Sequence, residues 1–160
     1  MADALADGNI RVYSVPSIAN INSPTTAELN AGTQLDTLIT PDGLIGFEAD
    51  TASVDNAKLS STFNTQQPGR ASWNNTALRL YRQTGTDTVR NLMVRGYVTN
   101  IVVRRGGVAS TVAWAAAQNV EVYPVACGQR KILAPEANGV EKYEVPLFIT
   151  SQPNDGATTT

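Results

Sequence analysis

Residues 77–105, ALRLYRQTGTDTVRNLMVRGYVTNIVVRR, decide the fold class of this 160-residue chain. At the start of the stretch Leu78 and Leu80 share one face, which predicts a half-buried strand over 77–82. A second strand is predicted over 97–105, where β-branched residues are frequent. Between the two strands the spacing of apolar residues changes to that of a helix. The stretch therefore has the order strand, helix, strand.

The predicted helix covers residues 87–95. It has an acid in its first turn and a base in its last turn, which suits the helix dipole. Thr86 is the expected N-cap, and Gly96 supplies the C-terminal stop. The apolar face follows helical spacing and consists of Val89, Leu92 and Met93.

Strand patterns continue on both sides of this stretch, so one mainly β domain is predicted over residues 1–150. We expect it to pack as a β-sandwich or barrel with the 87–95 helix on its flank. Residues 151–160 are rich in Pro, Asn, Gly and Thr and are predicted to form a flexible C-terminal tail. The further strands are expected at 10–15, 35–40, 44–47, 120–127 and 143–150, with a turn at 41–43.

A short helix is predicted near residues 24–31. Two start signals are present in the sequence. Ser23 is a possible N-cap with Pro24 at the first helical position, and alternatively Thr25 and Glu28 form a capping box. The helix has one or two turns and serves as a connector between strands.

The segment 48–70 is long, polar and poor in core residues. Leu59 and Phe63 share one face of an alternating stretch, which favours an extended hairpin or arm. A long excursion within a small domain is usually functional or disordered. The alternation here favours strand pairing, and we expect the pairing partner to include another chain.

The composition excludes most enzyme chemistry. The chain has no histidine and a single cysteine, so no histidine base and no His or clustered-Cys zinc site is available. It has no phosphate-binding glycine loop. Cys127 has no histidine to activate it and is predicted to be a structural thiol. We therefore predict no catalytic residue, no cofactor and no metal, and no apolar run is long enough to cross a membrane.

Charge is unevenly distributed along the chain. Residues 1–69 have eight acids and two bases, residues 70–131 have nine bases and two acids, and residues 132–160 have four acids and one base. The segments therefore have net charges of −6, +7 and −3. Three interpretations are open: the charges pair within the fold, the basic segment binds nucleic acid, or copies of the chain stack head to tail.

The order of these elements resembles that of the major tail tube proteins of long-tailed, non-contractile (siphovirus-type) bacteriophages. The resemblance extends over most of the chain and includes no catalytic fingerprint. The segments that match are 24–32, the polar excursion after it, 78–82, the helix beginning at Asp87, the strand ending at Arg104, 122–125 leading to Cys127 and Gly128, and 135–138.

The resemblance implies a tail-tube type β-sandwich and a structural role in the virion. It implies hexameric rings whose sheets join into one inner barrel and stack into the hollow tail tube, the conduit for genome ejection. The implied partners are further copies of the chain, the tape measure, tail terminator and distal tail proteins, and DNA that passes through the lumen without specific binding. Assembly is expected in the host cytoplasm.

Two groups of residues are predicted to serve this assembly. An acidic or uncharged wall would let DNA slide, whereas arginines would hold it by releasing counterions. Candidates for the lumen are therefore Asp36, Asp42 and Glu48. The arm is predicted to contact the next ring through Asp50, Asp55, Lys58, Leu59, Phe63 and Arg70.

Other functions remain open from the sequence alone. A tail terminator or head–tail connector shares the plan of a ring built from sandwiches, and it would stop at one ring instead of forming a tube. A nucleic-acid-binding β-barrel would account for the basic middle segment. An enzyme ranks last, since the residues on which most hydrolytic and metal-dependent mechanisms depend are missing.

Overall fold

The computed structural model describes residues 1–160 as eleven strands and two short helices. In chain order they are β1 (Arg11–Val15), α1 (Thr26–Asn30), β2 (Thr33–Gln34), β3 (Ile39–Ile45), β4 (Asp50–Asp55), β5 (Gln66–Ser72), β6 (Ala77–Tyr81), α2 (Thr88–Leu92), β7 (Val98–Arg104), β8 (Asn119–Cys127), β9 (Lys131–Ile132), β10 (Lys142–Ile149) and β11 (Asn154–Thr158). The mainly β prediction is confirmed. Neither helix is long and apolar enough to cross a membrane.

Nine of the strands form one curled antiparallel sheet. Its order is β2-β1-β7-β8-β10-β6-β3, with β11 also beside β8 and β9 also beside β10. Strand β10 takes part in both halves of the curl. Its first part pairs with β6, from Lys142 to Pro146, and its last part pairs with β8, from Leu147 to Ile149. The two halves therefore face each other as the layers of a sandwich.

Alternation along the strands fills two apolar clusters, one on each face of the β1-β7-β8 half. On β8, Tyr123 and Val125 point into the larger cluster, where they meet Leu78 and Leu80 of β6. Val122 points to the opposite face and joins the smaller cluster with Leu29 of α1. Because both faces are covered, every residue of β1 is buried.

Two buried arginines hold the loop over residues 105–118 against this sheet. Arg104 is 1% exposed and donates to the carbonyl oxygens of Ala109, at 2.8 Å, and Val112, at 2.9 Å. Arg11 lies directly opposite on β1 and donates to the Ser110 carbonyl at 3.0 Å. Both guanidinium groups lie over the Trp114 ring, with Cζ 5.0 Å and 5.3 Å from its centroid. Burial, together with the nearby Arg11, lowers the pKa of Arg104.

Helix α2 is shorter than the predicted 87–95 helix and begins one residue later than expected. Asp87 is the N-cap, in place of Thr86, and its carboxylate accepts from the backbone N–H of Arg90 at 3.0 Å. The helix ends after Leu92 because the following chain pairs with β8: the Gly96 N–H donates to the Cys127 carbonyl at 2.8 Å. Pairing with a distant strand therefore ends the helix at Leu92, before the last turn that the sequence predicted.

Helix α1 is present where the short helix was predicted. Of the two start signals, the structure uses the capping box. The Glu28 N–H donates to the Thr25 hydroxyl at 3.2 Å, and the Thr25 N–H donates to the Glu28 carboxylate at 2.9 Å. These two bonds satisfy backbone donors that a helix N-terminus otherwise leaves free.

The strands predicted at 35–40 and 44–47, with a turn at 41–43, are wrong in detail. Residues 35–38 form the turn, closed by the Leu38 N–H donating to the Leu35 carbonyl at 2.9 Å, and β3 runs through 41–43 as an irregular strand beside β6. Gly43 makes this possible, because a Cβ there would lie 2.5 Å from the Arg79 carbonyl oxygen.

The boundary predicted at residue 150 is also corrected. Residues 154–158 form β11, which pairs with β8 in place of extending as a separate tail. Ala157 is 0% exposed within the smaller apolar cluster, and Thr159 is 1% exposed. The polar composition of the segment concealed this, since a single small apolar side chain faces the core. The domain therefore includes the C-terminal residues.

Replacing Ala157 by Asp tests the burial of β11. The substitution places an unpaired charge in an apolar cluster, so we expect a loss of more than about 2 kcal/mol in the free energy of unfolding. Thr158→Asp is the matched control, since Thr158 is exposed on the same strand. Chemical denaturation measures both. Equal stabilities for the two variants would contradict a docked C-terminal strand.

Cys127 provides a second test of the core. It is 3% exposed, and burial raises the pKa of its thiol to about 11. Near pH 8 we expect the folded protein to react with a thiol reagent at least about 100-fold more slowly than the unfolded protein. The free energy of unfolding should also fall as pH rises from the ordinary thiol pKa toward this raised value, because only the unfolded state releases the proton there. Equal labelling rates would contradict the buried position.

Candidate assembly interface

Strands β4 and β5 form a hairpin that projects from the domain. They pair with each other and with no other strand. All six residues of β4 are exposed, and on β5 only Gly69 is partly covered. The predicted hairpin over 48–70 is therefore confirmed as a structural element, and it contributes nothing to either apolar cluster.

The six predicted arm residues are spread along the hairpin from its base to its tip. Asp50 lies at its base, and Arg70 lies in β5 beside a groove bordered by Trp73 and Ile149. Asp55 ends β4, where its carboxylate accepts from the Ala57 N–H at 2.9 Å. The tip carries the other three, which are Lys58, Leu59 and Phe63.

The tip is held in shape by its own polar groups. The Thr65 hydroxyl donates to the Asn56 side chain at 2.6 Å, and the Asn56 N–H donates to the Thr65 carbonyl at 3.1 Å. Leu59 is 107% exposed and Phe63 is 73% exposed. An ordered tip with two large apolar side chains in water is typical of a contact surface.

A second apolar surface crosses three adjacent strands and was missed from the sequence. Val98 of β7 and Phe148 of β10 both lie directly opposite Ala126 of β8, so the three side chains share one face. Val98 is 60% exposed and Phe148 is 62% exposed. This face is covered near α1 but bare at this end. Alternation along a strand shows which residues share a face, but it does not show how far along that face another element packs.

A charged face spans the other half of the sheet, and it includes one predicted lumen residue, Asp42. Arg79 of β6 pairs with Asp42 at 2.7 Å and with Glu144 of β10 at 3.3 Å. The Thr40 hydroxyl bonded to Asp42, its own backbone N–H and Arg79 together lower the pKa of this carboxyl. Asp42 is therefore accompanied by a cation, a pairing that depends on strand register and was not predicted.

The structure does not bring the other two lumen candidates to Asp42. Asp36 lies between β2 and β3, where it accepts from the Val12 N–H at 3.3 Å and the Gln34 amide at 3.0 Å. Glu48 lies exposed between β3 and β4. No hydrogen bond or ion pair links the three carboxylates.

Internal pairing accounts for part of the charge asymmetry along the chain. Besides Arg79, two bases of the middle segment pair with acids: Arg82 with Glu141 at 3.1 Å, and Arg105 with Glu121 at 3.1 Å. Arg104 is buried against carbonyl groups. Like Arg104, five other bases of residues 70–131 have no carboxylate partner: Arg70, Arg90, Arg95, Arg130 and Lys131.

Solved structures with the same fold occur in tail-like assemblies. One is a chain in the cryo-EM structure of the anti-feeding prophage (AFP) baseplate, 6-fold symmetrised, with TM-score 0.63, 8% identity and 96% coverage of each chain. Another is a chain in the sheath/tube terminator of PVC, an extracellular contractile injection system, in its extended state, with TM-score 0.61, 10% identity and coverage of 96% of this chain and 97% of that one. At such identities the similarity shows the fold alone.

Sequence comparison identifies the family. No curated protein matches this chain at a significant level. A family model described as phage tail tube protein matches residues 1–160, the whole chain. With the mainly β sandwich, the short flanking helices and the projecting hairpin already described, the chain belongs to the phage tail tube protein family.

Proposed function

We propose that this chain is the repeating subunit of a tail tube: it forms hexameric rings that stack into the hollow conduit for genome ejection. The observation that carries the proposal is the whole-chain match to the tail tube family. The match supports a structural role in the virion tail. Six copies per ring, stacking and passage of DNA are the proposed details.

The fold comparison supports six copies per ring. One chain with this fold occurs in a baseplate described as 6-fold symmetrised. Low charge also supports extensive contacts, since only 16% of the residues are charged, against about 25% in ordinary soluble domains. A subunit whose surface is largely covered by neighbours needs fewer charges to stay in solution.

The hairpin is the proposed contact between rings. A two-stranded hairpin with no core contact is marginally stable in water on its own. Ordering its backbone costs about 1–2 kcal/mol per residue. Leu59 and Phe63 bury too little apolar area within this chain to offset that cost, since they are 107% and 73% exposed. Contact with the next ring would bury both side chains. Asp50, Asp55, Lys58 and Arg70 would then contribute the polar margin of the contact.

The proposed lumen has a balanced wall rather than an acidic one. Asp36, Asp42 and Glu48 remain the candidates, but a wall that includes Asp42 also includes Arg79 and Glu144. A cation already paired with carboxylates has less charge to offer to a phosphate backbone. Such a wall lets DNA pass without counterion release on a scale that would hold it.

The wider setting follows from the same proposal. The tube would be assembled in the host cytoplasm around a tape measure protein, with a terminator at one end and a distal tail protein at the other. The non-contractile type of tail rests only on the resemblance seen in the sequence. The two similar solved chains are named for a prophage baseplate and a contractile injection system.

A tail terminator is the second candidate function, favoured by one observation. One of the similar chains belongs to a complex described as a sheath/tube terminator. Electron microscopy of the purified protein separates the two functions. Stacked tubes of uniform width support the tube subunit, whereas single rings that never stack support the terminator.

Deleting residues 55–66 tests the role of the hairpin. These residues touch neither apolar cluster, so we expect the free energy of unfolding to stay within about 1 kcal/mol of the original value. Tube formation should be lost, because the tip with Leu59 and Phe63 is gone. Asn64→Ser, a polar change at the same tip, is the control and should form tubes. Normal tubes from the deletion variant would show that another element stacks the rings.

Phe148→Asp tests the second apolar surface. In the free subunit the side chain is 62% exposed and lies outside both apolar clusters, so the change in the free energy of unfolding should be about 1 kcal/mol or less. Assembly should fail, because a charge would be buried at a contact between copies. Val140→Asp is the matched control, since Val140 is 60% exposed, close to the 62% of Phe148. Tubes from both variants would remove this surface from the assembly.

A further inference from the structure

The charged face of the sheet has an alternating pattern that runs from one free edge to the other. Four strands lie side by side in the order β9-β10-β6-β3. Across them, Lys131 lies opposite Glu144, Glu144 lies opposite Arg79, and Arg79 pairs with Asp42 at 2.7 Å. Directly opposed residues share a face. The signs along the row are therefore positive, negative, positive and negative.

Both ends of this row are open edges. Strand β3 pairs with β6 alone, and β9 pairs with β10 alone. An unpaired edge presents free backbone groups to any strand that fits, and proteins usually cover or disrupt such edges. Strand β9 also has an exposed apolar side chain, Ile132, which is 66% exposed. Ile132 lies opposite the buried Tyr143 and so on the face of the sheet away from the charged row. Pro41 and a register shift interrupt β3, and β9 has only two residues, so neither edge is a long flat strand. Neither edge has a strand partner within the chain, and each can take a short one from a neighbouring copy.

The directions of the two edges suit continuation by rotation. Every pairing from β9 to β3 is antiparallel, so β9 and β3 run in opposite directions. Rotation about the axis of a ring preserves the direction of each strand relative to that axis. The β3 strand of one copy is therefore antiparallel to the β9 strand of the next, and the pattern continues without interruption.

We propose that β3 of one copy pairs with β9 of the next copy in the ring, with Asp42 facing Lys131 across the junction. The inference rests on the proposed ring and adds which edges meet. The charge alternation then continues through the junction, because the row ends in opposite signs. Pairing of two like edges would instead set Asp42 against Asp42, or Lys131 against Lys131, and like charges directly opposite destabilise a sheet. The row thus selects head-to-tail closure.

The other margin of the sheet offers no equivalent selection. One of its edge strands is β2, whose two residues, Thr33 and Gln34, are uncharged. The other is β11, beside β8, which carries one acid, Asp155, and no base. An edge of uncharged polar residues has no end charge with which to distinguish one neighbour from another. The proposed junction therefore uses the half of the sheet whose two edges end in opposite charges, Asp42 and Lys131.

Carbodiimide cross-linking of assembled, unmodified protein tests the junction. The reagent joins a carboxylate to a lysine Nζ in direct contact, as an amide with loss of water. Within one chain, Asp42 and Lys131 are separated by three strand spacings, about 14 Å, which is too far for such a bond. We expect an Asp42–Lys131 link in tubes, and in tubes grown from mixed light and ¹⁵N-labelled protein the link should join light to heavy peptides.

Lys142 and Glu136 provide the internal control, because they lie 3.8 Å apart within one chain and should be linked in every sample. If tubes contain the Lys142–Glu136 link and no Asp42–Lys131 link, the junction is refuted while the tube function stands. If no rings or tubes form at all, the proposed function fails with it. The two failures are therefore distinguishable by electron microscopy of the same sample.

Engineered cysteines give an independent measurement. Oxidised tubes of the Asp42→Cys, Lys131→Cys double variant should give a ladder of covalent oligomers that ends at the number of copies in a ring. The buried Cys127 adds little background. The pair Asp42→Cys and Arg95→Cys, with Arg95 exposed near the end of α2, is the matched control and should give no ladder. A ladder from the control pair, or none from the proposed pair in intact tubes, would overturn the assignment.

Discussion

The rest of the structure depends on the change of partner along β10. From Lys142 to Pro146 this strand is bonded to β6, and from Leu147 to Ile149 it is bonded to β8. The switch folds one sheet into two facing layers. Backbone approach at the switch is close: a Cβ on Gly128 would lie 2.8 Å from the Phe148 ring and 3.0 Å from Pro146. A larger residue at position 128 would force the layers apart at this corner.

The same switch determines which surfaces are left uncovered. Buried side chains of β10 fill the space between the layers, while the side chains on its other face point outward from both halves. Glu144 therefore belongs to the charged face, and Phe148 belongs to the second apolar surface. One strand thus supplies a residue to each of two surfaces with different chemistry. The hairpin forms a third surface, attached to the domain only by its ends.

The sequence predicted those features that depend on local chemistry. Alternation identified β6, β7, β8 and β10, and the polar alternation after Glu48 identified the hairpin. The pair Thr25 and Glu28, one of two start signals in the sequence, is the one that begins α1. Features set by distant pairing were missed. The early end of α2 depends on Cys127, and β11 depends on the free edge of β8. No window of a few residues contains either partner.

The candidate surfaces divide in the same way. The exposed tip with Leu59 and Phe63 could be predicted, because its isolation is a property of one continuous segment. The charged row could not, because Asp42, Arg79 and Glu144 come from strands far apart in sequence and only the register brings them together. Asp42 was identified as an acid without its cation. A prediction from residue type alone therefore assigned net negative charge to a surface on which Asp42 is paired with Arg79.

The buried arginine pair has a consequence for how this protein responds to acid. Arg11 and Arg104 hold the 105–118 loop through hydrogen bonds to backbone carbonyl oxygens, with no carboxylate in the contact. Asp42 does titrate, and because its pKa is lowered, its favourable charge is present above the ordinary aspartate range and is lost only as pH falls through that lowered value. A junction built on Asp42 would therefore keep its charge to a lower pH than one built on an ordinary aspartate, whereas the contacts that hold the loop do not depend on a carboxylate at all.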